Sequence, residues 1–117
     1  MSVVDILSSV INTELGLEYC GEDEDFYAEM LQDYVDGDKT DELNKFKSEE
    51  NWTEYRVQIH AVKSTSLMIG AEALSAKAKE LEIAAAQSDV AAINAMHAPV
   101  LEEYKKLMDV IKNALEA

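Results

Sequence analysis

Residues 51–70 read NWTEYRVQIHAVKSTSLMIG, and their spacing decides what kind of element occupies the middle of the chain. Trp52, Tyr55, Ile59, Val62, Ser66 and Ile69 recur at steps of three and four, the period of one helix face. Asn51 with Glu54 three residues later has the pattern of a capping box, and Gly70 supplies a stop. The stretch therefore predicts a helix from Asn51 to about Ile69. His60 does not belong to its inner stripe. At about 100° per residue it falls on the outer face, together with Arg56, Lys63, Ser64 and Leu67. A histidine there is either a solvated surface residue or a reacting group on a rigid mid-helix position.

The flanking sequence repeats the helical period. A first helix is expected over about 3–14, with Val4, Ile6, Leu7, Val10 and Ile11 on one stripe, ending before Gly16. The linker LEYCG leads to a second helix over about 23–36. Its acidic start suits the positive end of the helix dipole, Phe26, Met30, Leu31 and Tyr34 face inward, and Gly37 ends it. A polar third helix over about 40–50 carries Leu43 and Phe46. Beyond Gly70, a helix over about 71–87 buries Ala71, Leu74, Ala78, Leu81 and Ala85. Ser88 is expected to cap a last helix over about 89–115, with Ile93, Met96, Val100, Tyr104, Leu107, Ile111 and Leu115 inward and a kink at Pro99. Short turns join the later helices, so neighbours should run antiparallel. The expected fold is all-α: one domain over residues 1–117, an up-down antiparallel four-helix bundle with a short additional N-terminal helix.

Composition narrows the function classes. The 117 residues hold one proline, four glycines and one cysteine, so an internal disulfide is excluded and Cys20 is expected only to pack. No apolar run approaches the ~20 residues of a membrane span. MSVVDILSSVINTE has neither a basic leader nor a small-residue cleavage site, so a cytoplasmic chain is expected. The formal net charge is −14. Residues 1–50 carry 15 acidic and 3 basic side chains, against 9 and 7 in residues 51–117. Without a basic patch, nucleic acid and anionic membranes are disfavoured partners. The basic groups gather in the half that contains His60.

Four features of the outer face speak for a reacting histidine, and by themselves they leave it level with the solvated-surface reading. Histidine offers an unprotonated ring nitrogen at neutral pH. Lys63, one turn on, brings positive charge to where an anion attached to His60 would sit. Ser64 and Thr65 keep the surface low beside the ring. Leu67 and Met68 add exposed apolar area at or near the same face, as a docking patch would.

The run HAVKSTSLMIGAEALSAKAKELE resembles the signature of histidine phosphotransfer (HPt) domains of two-component phosphorelays. That pattern has a His, a Lys three on, small residues, a Gly about ten on, then a Leu and a terminal Leu-Glu. Here these are His60, Lys63, Ser64 to Ser66, Gly70, Leu74, and Leu81 with Glu82. GLEYCGEDEDFYAEMLQDYV and SDVAAINAMHAPVLEEYKKLM resemble the family's flanking helices, so the likeness covers roughly residues 14 to 115. Ser64 stands where many members have glycine, and it is still small. The resemblance implies that His60 accepts a phosphoryl group from a receiver-domain aspartate and passes it to another. It further implies that Lys63 screens the phosphoryl oxygens and that Glu82 orients the imidazole. Arg56, Ser64, Leu67 and Met68 would meet the partner. Partners would be response-regulator receiver domains or a hybrid histidine kinase. No cofactor of its own is expected, with Mg²⁺ held by the receiver, and the chain is expected to act as a monomer. The alternative is a helical adaptor that binds a receiver or kinase domain without carrying phosphate; such an adaptor has no need of the His60 and Lys63 pair.

Other residues give weaker signals. His97 lies beside the last helix's inner stripe, without the companions of a metal motif, and is expected at a core boundary. GEDEDF lacks the ligand spacing of a calcium loop. Ser64, Thr65 and Ser66 share one continuous helix with His60, which offers neither the sharp elbow nor the oxyanion hole of a hydrolase.

Overall fold

A computed structural model describes residues 2–117. Seven helices follow in order: α1 (Val3–Leu7), α2 (Thr13–Tyr19), α3 (Glu24–Asp36), α4 (Thr40–Ser48), α5 (Trp52–Met68), α6 (Glu72–Ala86) and α7 (Val90–Glu116). No strand occurs among the described residues, so the all-α expectation holds. At ~1.5 Å per residue the 27-residue α7 is roughly 40 Å long, close to the 43 Å longest dimension of the molecule.

The helices sit where apolar spacing put them, with instructive exceptions. The expected helix over 3–14 is broken into α1 and α2, and LEYCG is no linker, since α2 runs to Tyr19. The break falls where Asn12 turns to cap α2 through its side chain and gives its own amide to the Gly70 carbonyl at 2.9 Å. Tyr27, not Phe26, enters the core, where its hydroxyl donates to the Ile69 carbonyl at 2.8 Å; Phe26 is 45% exposed. Only half of the capping box at Asn51 forms. The Asn51 side chain accepts from the Glu54 amide, but the Asn51 amide is already spent on the Phe46 carbonyl. Asp89, not Ser88, caps α7. Ser88 has φ 52° in the turn after α6, incompatible with the extended backbone an N-cap needs. Trp52, Met96 and Leu115 are half-buried rather than core. α7 continues unbroken through Pro99, whose missing donor orphans the Ala95 carbonyl on an exposed side of the helix, where water can serve it.

α5 and α6 form an antiparallel hairpin, and small residues make the approach close. Ala71, Ala78 and Ala85 are buried in α6 or at its start, and the Ser75 hydroxyl donates to the Lys63 carbonyl at 2.8 Å. Gly70 makes the turn at φ 91°, with the Asn12 carbonyl oxygen 1.9 Å from where a Cβ would stand. α3 lies across the inner face of α5, where the hydroxyls of Tyr34 and Ser66 share a buried hydrogen bond of 2.8 Å. α7 packs on α3 and α6. The result is a mid-α5 backbone held from several sides, with one face left open.

Candidate functional site

His60 stands on that open face, and its side chain is 57% exposed. Ile59 and Val62 lie on the opposite side of α5, each 1% exposed, and anchor the turn that carries it. Glu82 reaches across from α6, where neighbouring Leu81 is fully buried and sets the rotation of that helix. One carboxylate oxygen of Glu82 accepts from Nδ1 of His60, and the other accepts from Nζ of Lys63 at 2.7 Å. Burial by itself would raise the Glu82 carboxyl. Hydrogen bonds from Lys63 and then His60, with their charges, outweigh it and hold the group below its usual range. The carboxylate is thus ionised at neutral pH and can only accept.

That fixes the imidazole chemically. Nδ1 carries the proton that Glu82 accepts, so in the neutral ring Nε2 holds the lone pair. Nε2 has no hydrogen-bond partner among the described residues. The arrangement offers a nitrogen nucleophile to solvent, with a carboxylate behind the ring to stabilise positive charge once that nitrogen bonds to something else.

The surroundings are low and partly apolar. Ser64 and Leu67 line an open groove beside His60 with Lys63, Ser75, Ala76 and Lys79. Leu67 and Met68 are each 38% exposed. Arg56 is exposed one turn before His60 and forms no ion pair among the described residues. The structure therefore joins His60, Lys63 and Glu82 into one hydrogen-bonded cluster, with Ser64 and Leu67 in the adjoining groove. Arg56 and Met68 stay outside both. The sequence reading missed Val57, which is 55% exposed at i−3 from His60 and extends the apolar rim. The same helical wheel that singled out Leu67 would have found it. Ser75 was missed as well, because its role lies in a cross-helix bond to a backbone carbonyl.

A cavity of about 510 Å³ lies away from His60, between residues 8–12, the start of α6 and α7. It contains no histidine or cysteine. Among the described residues no group of three or more His, Cys, Asp or Glu side chains could hold a metal ion. Among the described residues no helix is long and apolar enough to cross a membrane. Comparison with protein-family models, with curated proteins and with solved structures found no match.

Proposed function

We propose that this chain is a histidine-containing phosphotransfer protein, relaying a phosphoryl group between receiver-domain aspartates through Nε2 of His60. The observation that carries this reading is the bond from Nδ1 of His60 to Glu82, which leaves Nε2 free on a rigid, exposed helix face. The sequence likeness to HPt domains agrees with it. In the same reading α3, α5, α6 and α7 make an up-down antiparallel four-helix bundle, to which α1, α2 and α4 are additions.

The transfer step is a substitution at phosphorus. Nε2 attacks the phosphoryl group of a receiver aspartyl phosphate. The N–P bond forms as the P–O bond to the aspartate breaks, and the electron pair returns to the aspartate carboxylate. The ring becomes cationic, and Glu82, already bonded at Nδ1, stabilises that charge without moving. Lys63 has one of its three N–H donors on Glu82, so the others can meet phosphoryl oxygens. Such a transfer asks mainly for in-line positioning and charge neutralisation, and receiver-bound Mg²⁺ would supply the rest. A low surface at Ser64 and an apolar rim of Val57, Leu67 and Met68 would let the partner's acidic pocket close over the ring.

The reading is tested by incubating the chain with phosphorylated receivers and examining the adduct. An acid-labile, base-stable phosphoryl group on wild type and none on His60→Gln is expected. Absence of an adduct with every competent receiver would leave the adaptor reading in its place.

A further inference from the structure

A second histidine, unused by the transfer, joins three helices. His97 of α7 is 6% exposed, so it lies in the interior and not at the core boundary expected from sequence. Its Nε2 is 2.7 Å from Oδ1 of Asn44 on α4, and its Nδ1 is 2.8 Å from the Tyr55 hydroxyl on α5. The Asn44 oxygen only accepts, so Nε2 carries the ring proton and Nδ1 accepts from Tyr55. All three groups are satisfied only while the ring is neutral. The groups that face it are Asn44 and Lys47 from α4 and Tyr55 from α5, and no carboxylate lies within ion-pair distance among the described residues. Burial, and then the charge of Lys47, push the His97 pKa down to about 4.

α4 is the helix that depends most on this bond. Its N-cap, Lys39, makes no side-chain cap, and of its nine residues only Leu43 is fully buried. Besides its packing on α5, it is tied to α7 by the Asn44–His97 bond and, at its entry, by the Lys39 amide donating to the Tyr104 hydroxyl at 3.1 Å.

We propose that Asn44, His97 and Tyr55 form an acid-sensitive latch. A proton taken up at Nδ1 of His97 displaces the Tyr55 donor and leaves a buried cation facing Lys47 of α4. Lifting α4, which carries both Lys47 and Asn44, gives that cation to water while α5, α6 and α7 stay folded. The latched ring binds protons at about 4 and a released one near 6.5, so linkage makes α4 open about 20-fold more at pH 5 than at pH 7.

Amide hydrogen exchange on the intact chain, corrected for intrinsic rates, reads this out. The expected result is a loss of about 20-fold in α4 protection between pH 7 and pH 5, with the centres of α5 and α6 unchanged. His97→Gln, which can still donate to Asn44 and accept from Tyr55 without titrating, should abolish the step. Unchanged α4 protection, an equal loss in α5 and α6, or the same step in H97Q would each overturn the latch. Should H97Q not fold, the wild-type ring resonances carry the test. Their titration must coincide with α4 exposure, and titration with α4 still protected overturns the proposal.

Discussion

Glu82 binds Nδ1 of His60 across the α5–α6 seam, so a partly buried carboxylate on one helix determines which ring nitrogen is free on the other. Its second oxygen, on Lys63, makes the same residue the keeper of the nearest positive charge. Removing it should therefore disturb both the tautomer and the lysine.

In Glu82→Ala, ring ¹⁵N shifts of His60 should move from a single tautomer with protonated Nδ1 toward a mixture. Phosphoryl uptake should slow on the order of tenfold, the scale of one charge-assisted hydrogen bond. Glu82→Gln keeps an acceptor for Nδ1 but not its charge, so it should restore the tautomer more than the rate. An unaltered ring spectrum in E82A would show that Glu82 does not orient the histidine.

Ser64→Gln should weaken receiver docking. Ser64 lies one turn beyond His60 in the groove with Leu67 and is half-buried, so a longer side chain rises into the partner's approach. Receiver-concentration dependence should show a higher KM with little change in the limiting rate and no change in thermal stability. Transfer kinetics equal to wild type would count against this face as the docking surface.

Acid should destabilise the whole protein through His97 as well as opening α4. Its folded value is depressed to about 4 against an ordinary 6.5, so its contribution is complete above 6.5 and is lost as pH falls through 4. The loss amounts to up to roughly 3 kcal/mol. The lowered Glu82 carboxyl acts in the same direction at more acid pH, being lost as pH falls through its folded value. Urea midpoints of wild type and H97Q between pH 7 and 4 should diverge, wild type falling more steeply because only it carries the titrating ring. Parallel curves would contradict the assignment.

Gly70→Ala should cost far more than Gly21→Ala, although both glycines have positive φ. A Cβ at Gly70 would stand 1.9 Å from the Asn12 carbonyl oxygen, whereas nothing lies within 4 Å at Gly21. Backbone strain alone predicts about 1 kcal/mol at Gly21, and the forced displacement at Gly70 adds roughly 2 kcal/mol or more. Chemical denaturation of the two variants compares them directly, and equal losses would mean that the 8–12 segment yields freely.

The inner stripe of α5, its stop at Gly70 and the outward place of His60 were all legible, because each follows from helical period and a glycine stop. Hidden were the features set by distant chain segments. Nothing local told that the Asn12 amide would bond the Gly70 carbonyl and split the first helix, or that Tyr27 would displace Phe26 to reach the Ile69 carbonyl. Likewise, the periodicity of α7 placed His97 near the stripe, but only Asn44 and Tyr55 from two other helices bring it inside as a neutral, doubly bonded ring. At the site, the HPt likeness pointed to Glu82, but its simultaneous hold on His60 and Lys63 depends on how closely α6 approaches α5.

The measurement that tests the central claim most directly is ³¹P–¹⁵N coupling in histidine-labelled protein after exposure to a phosphorylated receiver. The account predicts one phosphoryl group coupled to Nε2 of His60, and none in His60→Gln. A phosphoryl group on Nδ1, an equal signal in H60Q, or none in wild type from any competent receiver would contradict it.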